Sequence, residues 1–210
     1  AHLDFADLRR TIGAVDYERG HSWSLAANGN YVNSEFLPRV YGSFDKGFLL
    51  PVEHTSLWVR GSAGKSWGDR DNAFASFFFG GFGNNWVDYR EVRRYRDFES
   101  FPGVELDELG GTDFAQAKVE LTLPPLRFEK AGVPALYSNW ARLALFGSVL
   151  ETGISNGDLR QTAFNAGAQV DLSIVAFSNL DSTVSVGYAH AFLEGGYSSN
   201  ELMVSLKLLK

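Results

Sequence analysis

The sequence predicts an all-β fold, an antiparallel up-and-down transmembrane β-barrel with about eight to nine strands present. Three observations predict it. Residues 163–176 put Phe164, Ala166, Ala168, Val170, Leu172, Ile174 and Ala176 on one face and Asn165, Gly167, Gln169, Asp171 and Ser173 on the other. Successive side chains alternate across a strand, so this segment has one apolar wall and one polar wall. The segments 163–176 and 137–149 are also longer than the roughly 5–6 residues usual in globular strands. Finally, Tyr137, Trp140, Tyr188, Phe192 and Tyr197 gather near strand ends, as an interfacial aromatic girdle does.

The first 16 residues carry no clear period. From Tyr17, alternation sets Trp23, Leu25 and Ala27 against Ser22, Ser24 and Asn28, and Asn28-Gly29-Asn30 signals a hairpin turn. A strand is expected over 36–44, with Lys46-Gly47 as the next turn, and another over 55–64 with Leu57 and Val59 opposite Ser56, Arg60 and Ser62. Residues 64–72 read as polar and turn-like, and 73–79 as more uniformly apolar. Gly80 to Gly111 is aperiodic, and a loop of that length inside a compact domain usually has a function. Clean alternation returns at 114–123, with Gln116, Lys118, Glu120 and Thr122 on the polar face, until Pro124-Pro125 stops it. Strands follow over 137–149, 163–176, 183–192 and 202–208, the last two joined through Gly195-Gly196. No linker divides the chain, so residues 1–210 read as one domain.

Composition narrows the function. No stretch approaches the roughly 18 apolar residues of a membrane-spanning helix, but a barrel strand is only half apolar and escapes that test. The absence of cysteine excludes disulfides, thiolate metal sites and a cysteine nucleophile. A net charge of −6 argues against a nucleic-acid partner. The residues at the start lack the apolar segment of a secretory signal, so a route to the membrane needs one upstream, and the chain is expected to be the C-terminal piece of something longer.

Candidate reactive groups are sparse. His2, His21, His54 and His190 have no metal-ligand spacing and read as turn or interface histidines. Gly80-Gly81-Phe82-Gly83 lacks the strand-to-helix setting of a phosphate loop. Glu99, Glu105, Asp107 and Glu108 read as a solvated acidic loop rather than a cation site, and no Ser/His/Asp set appears at a recognisable spacing. Neither a metal nor a cofactor is expected, and the chain is not expected to be an enzyme.

Alternation also suits a soluble β-barrel with an apolar ligand inside. The strand lengths, the aromatic placement and a polar face rich in small residues favour the inverted arrangement with lipid outside. A charge on the lipid face near the midplane costs roughly 2–4 kcal/mol. Lys118, Glu120, Arg142 and Asp171 all fall on the polar face.

The aperiodic stretch reads Phe-Phe-Phe-Gly-Gly-Phe-Gly-Asn-Asn-Trp-Val-Asp from Phe77, then Val92-Arg93-Arg94-Tyr95, then Phe101-Pro102-Gly103 and Leu109-Gly110-Gly111. It resembles the bacterial surface antigen family, the outer-membrane superfamily of barrel-assembly factors and two-partner secretion transporters. There a strand ending in Gly-Gly leads into a long extracellular loop with a Val-Arg-Gly-Tyr motif, and a second Gly-Gly feeds the next strand. Gly80 and Gly81 match the first element as a loop hinge, and Gly110 and Gly111 match the return. The resemblance covers residues 36–210 and implies the C-terminal half of a sixteen-stranded barrel. It also implies that Arg93 folds into the lumen, with Glu120 and Asp171 as lumenal partners. Arg94 stands where the motif has glycine, and Lys210 where such strands commonly end in an aromatic residue. Residues 80–88 and 91–103 look closest to barrels that follow a WD40-like propeller.

The expected location is therefore the outer membrane of a Gram-negative envelope. The resemblance implies membrane anchoring with protein insertion or translocation, the loop occupying the lumen. Partners would be outer-membrane lipid, unfolded polypeptide substrates and upstream periplasmic domains. A passive barrel anchoring an upstream propeller or enzyme domain is the alternative, and the soluble ligand-binding barrel a third.

Overall fold

A computed structural model describes the chain except residues 33, 69–71, 84–86, 89–92, 178–179 and 209–210. Its strands in chain order are β1 (His2–Arg9), β2 (Arg19–Val32), β3 (Glu35–Leu49), β4 (Ser56–Ser66), β5 (Phe77–Phe79), β6 (Val87–Asp88) and β7 (Leu109–Gly111). They continue as β8 (Asp113–Thr122), β9 (Leu126–Val133), β10 (Leu136–Thr152), β11 (Gln161–Ala176), β12 (Leu180–Leu193) and β13 (Ser198–Leu208). Among the described residues only short 3-10 turns are helical, and no helix is long and apolar enough to cross a membrane.

The large sheet runs β1-β2-β3-β4-β8-β10-β11-β12-β13, each neighbour antiparallel. β8 pairs with the C-terminal half of β10, and β9 with its start at Leu136 to Ala141. The two are halves of one strand, broken where Pro124 and Pro125 offer no N–H to the ladder, and β10 answers with a register shift between Ser138 and Trp140. β9 was hidden in the sequence behind that proline pair. The sheet thus has nine strand positions in an up-and-down order, and it is not closed: β1 is one edge, and β13, with only the two-residue β6 added in parallel, is the other.

The sheet curls strongly. The linker between β1 and β2 reaches across β3, β4 and β8, where the Arg127 guanidinium donates to the Gly13 carbonyl and Arg142 lies 3.5 Å from Asp16. Burial is inverted relative to a water-soluble β-sandwich. Leu57 opposite Leu121 and Val59 opposite Val119 share the convex face, with Val119 46% exposed, while Trp58 opposite Glu120 and Arg60 opposite Lys118 are buried on the concave face. The alternation expected for 114–123, 137–149, 163–176, 183–192 and 202–208 maps onto these two faces.

Two expected turns are strand instead. β2 runs straight through Asn28-Gly29-Asn30, pairing Gly29 with Pro38, and the chain reverses near Ser34, whose φ is 69°. β3 likewise continues through Lys46-Gly47, paired on both sides. In both places a cross-strand aromatic ring covers the glycine: Phe36 over Gly29, with a Cβ there falling 2.6 Å from the ring, and Trp58 over Gly47 at 2.5 Å. The glycines make room for rings rather than bends.

β4 and β8 form a hairpin whose connection spans residues 67–112. This connection folds back into the concavity. Its two legs pair as β5 and β7, and its far part adds β6 in parallel to the edge of β13, Val87 beside Leu206. Where it enters, Phe77, Phe79, Phe101, Val104 and Leu109 pack with Phe114, Leu150, Ala163 and Ala191 into an apolar plug. A second cluster, Phe82, Tyr95, Phe146, Ala189 and Met203, lies deeper, with Tyr95 stacked on Phe146 at 4.3 Å.

Candidate functional site

The polar faces of β4, β8, β10 and β11 converge on the returning leg of the connection. That leg makes a 3-10 turn at Arg94–Arg96. Residues three apart eclipse in such a turn, so Arg93 and Arg96 project to one side. Arg93 is 1% exposed. Its Nε donates to Asp171 Oδ2 at 2.8 Å, and its Nη1 donates to Glu120 Oε1 at 2.8 Å and to the Tyr95 hydroxyl at 3.2 Å. One planar guanidinium therefore bridges carboxylates from β8 and β11, a span that a lysine ammonium does not offer.

Each carboxylate is saturated. Glu120 also accepts from Arg96 Nε and Nη2 at 2.9 and 2.7 Å and from the Thr122 hydroxyl at 3.0 Å, with Arg60 3.4 Å away. Asp171 also accepts from Gln169 at 2.6 Å, from the Ser185 hydroxyl at 2.7 Å and from Arg142 at 3.3 Å. Asp16 reaches in from the β1–β2 linker and accepts from Arg96 at 2.9 Å. Burial alone raises the Asp16 pKa, but the charges of Arg96, Arg142 and Arg93 outweigh it and hold the group down at about 2. Burial pushes the Tyr95 phenol well above its ordinary range, so it stays neutral.

Two further clamps hold the same segment. The Lys118 ammonium donates to the carbonyls of Tyr95, Asp97 and Ser100 at 2.9, 2.6 and 2.6 Å, using its three donors on one turn of chain. Glu201 on β13 accepts the Phe82 and Gly103 N–H groups, both at 3.0 Å, and so ties the outgoing leg to the returning one. Asn165 donates to the Pro102 carbonyl at 2.7 Å.

Arg93, Tyr95, Glu120 and Asp171 are thus in one cluster, and Val92 lies outside the described residues. Arg94, at the glycine position of the motif, keeps a negative φ, and its carbonyl accepts from Asp97 N–H at 3.0 Å and the Ser100 hydroxyl at 2.8 Å. Gly81 has φ 65° and bridges to Phe101, and a Cβ on Gly80 would fall 1.9 Å from the Glu105 carbonyl oxygen. Gly110 and Gly111 lie in β7 against β5. One glycine of each pair, Gly80 and Gly111, sits where backbones cross closely.

Sequence reasoning did not single out Arg96, Asp16, Lys118 or Glu201 as parts of a site. Alternation places Lys118 and Glu201 on the inner face, which was the available signal for them. Asp16 sits in a linker without period and carried none. Among the described residues no group of three or more His, Asp or Glu side chains could hold a metal. No protein-family model matches the chain, and no curated protein or solved structure matches it.

Proposed function

We propose that this chain is part of an outer-membrane β-barrel that anchors in lipid and takes part in protein insertion or translocation, its long connection held in the lumen, with no catalytic role. The observation that carries this reading is the inversion of burial: an exposed apolar convex face around a concave face with a four-arginine, three-carboxylate cluster, buried except for the half-buried Arg96 and Asp16. Water does not reward a continuous apolar exterior, whereas lipid does. The resemblance of the 77–111 stretch to the surface antigen family supports the transport half of the proposal. Partners on this reading are outer-membrane lipid, unfolded polypeptides and upstream periplasmic domains.

A second reading, a passive anchor for an upstream domain, is favoured by the number of clamps on the connection, which suit a permanently filled lumen. Tandem polypeptide-transport domains upstream would support translocation, and a propeller would support anchoring.

Val119→Arg tests the membrane placement. In phospholipid vesicles it is expected to cost about 2–4 kcal/mol of stability, whereas on a water-facing surface the change stays within roughly 0.5 kcal/mol. Heat-modifiable migration of the vesicle-inserted chain is the companion readout. A monodisperse monomer in detergent-free buffer, with an unchanged Val119→Arg variant, would sink both membrane readings.

A further inference from the structure

The arginine cluster is over-supplied with cations. Arg60, Arg93, Arg96 and Arg142 face Asp16, Glu120 and Asp171, with Lys118 alongside. Three buried guanidinium nitrogens, Arg60 Nη1, Arg93 Nη2 and Arg142 Nε, have no acceptor among the described residues. Buried donors are ordinarily satisfied, so this side of the concavity is short of negative charge.

Of the cluster's arginines, Arg142 also borders a cavity of about 530 Å³. Arg142 lines it from β10, Arg127 from β9 and Arg10 from the β1–β2 linker, and the buried Lys207 forms part of the β13 wall. The two acids on its wall, Asp16 and Asp171, are committed: Asp16 to Arg96 and Arg142, Asp171 to Arg93, Arg142, Gln169 and Ser185. Among the described residues Arg10 pairs with no carboxylate, and the one hydrogen bond Arg127 makes is to the Gly13 carbonyl. Two of the arginines are backed by rings that also line the cavity: Arg10 by Tyr17, 5.1 Å to the ring centre, and Arg142 by Trp140, 5.5 Å. An aromatic face holds a guanidinium flat and leaves its edge free to donate.

We propose that this cavity is a binding site for a phosphate group, held by Arg10, Arg127, Arg142 and Lys207. Several guanidinium forks lining one cavity match an oxyanion with acceptors on every side better than a single carboxylate. The volume leaves room for a substituent on the phosphate, so the group belongs either to a soluble phosphomonoester or to the headgroup of an anionic phospholipid. The inference stands on the cavity and its charges, and it survives whether or not the chain transports protein.

The test uses the full chain in zwitterionic micelles. Inorganic phosphate and glycerol 3-phosphate are titrated by calorimetry at constant ionic strength, with chloride and acetate as controls. A parallel arm compares thermal unfolding in nanodiscs of phosphatidylcholine with and without phosphatidic acid. Saturable phosphate binding, absent for chloride and acetate and weakened roughly tenfold in Arg10→Gln/Arg127→Gln, is the expected result, as losing charged hydrogen bonds implies. Binding of the soluble esters identifies a soluble ligand. Stabilisation by phosphatidic acid alone, abolished in the same variant, identifies a headgroup. Either supports the site. No saturable binding and no lipid-specific stabilisation in the wild type, or the same response in the variant, overturns it. Because neither arginine pairs with a carboxylate, the variant is expected to keep its heat-modifiability, which separates loss of binding from loss of fold.

Discussion

The two ends of the sheet have the same outer face and different inner faces. On the outside, Leu25 and Phe44 of β2 and β3 are 47% and 50% exposed, and Val170 and Val186 of β11 and β12 are 45% and 44% exposed. On the inside, Gln169 and Ser185 are fully buried, whereas Ser24, Ser43 and Asp45 are only half-buried. The difference is the connection between β4 and β8: side chains of β8, β11 and β13 clamp it, whereas on β3 its Phe77 and Phe98 pack on Tyr41 and leave Ser24, Ser43 and Asp45 lining an open cavity. A concave polar wall therefore has two uses here. Over β8 to β13 it is a specific receptor for one segment of its own chain, and around Ser24, Ser43 and Asp45 it is the lining of an open cavity. The apolar outer face is common to both and does not depend on what fills the inside.

The comparison breaks first at Arg93. Arg93→Ala leaves Glu120 and Asp171 each short of a buried charge partner, and breaking a buried pair this way costs about 3–5 kcal/mol. Arg93→Lys is expected to recover little, since one ammonium does not span carboxylates on two strands. Urea unfolding in micelles reads the stability, and limited proteolysis between Gly80 and Val104 reads release of the segment. A variant as stable and as protease-resistant as the parent would show that the cluster does not hold the connection.

The strand faces were legible in the sequence because alternation is a local property, and β11 states it residue by residue. The turns were less so. Asn28-Gly29-Asn30 and Lys46-Gly47 carry turn chemistry, and what keeps them extended is a ring on the neighbouring strand, Phe36 or Trp58, information that lies outside the local window. The site divides in the same way. Arg93, Glu120 and Asp171 came through the motif resemblance together with inner-face periodicity. Arg96 and Asp16 did not, because their meeting depends on the path of an aperiodic segment and on the curl that carries the β1–β2 linker across to β10.

Lys118 is the next point of attack. Lys118→Met keeps the length of the side chain and leaves the carbonyls of Tyr95, Asp97 and Ser100 without their donor. Water reaches some of that turn, so the expected loss is about 2–3 kcal/mol, less than at Arg93. Protease sensitivity is expected to centre on residues 94–100 rather than on the whole connection. Equal sensitivity throughout 80–104 would mean that the clamps act as one unit and not in sequence.

Asp16 supplies a smaller effect with a pH signature. Its pKa lies below the ordinary carboxylate value, at about 2, so its stabilisation is complete above pH about 4 and fades as pH falls through 2. The shift corresponds to about 2 kcal/mol. Asp16→Asn is therefore expected to be less stable than the parent at pH 5, with the gap closing between pH 4 and 2. A gap that stays constant over that range would assign the loss to packing rather than to the carboxylate charge.

The smallest effect belongs to the wall of the open cavity. Ser43 shares a 2.8 Å hydroxyl contact with Ser24 across β2 and β3, on a face that borders an open cavity of about 560 Å³, also lined by Asp97, Phe98 and Glu99 of the connection. Water replaces a lost hydroxyl there at little cost, so Ser43→Ala is expected to change stability by less than about 0.5 kcal/mol. Ser185 makes a contact of nearly the same length, 2.7 Å to Asp171, but under the clamped segment. Ser185→Ala removes one of the donors on a buried carboxylate and is expected to cost about 1–3 kcal/mol. The two substitutions delete the same atom from equivalent inward positions, so their difference isolates what the covering segment adds. Equal losses at both would mean that the concave face is energetically uniform and that the connection rests on it without changing it.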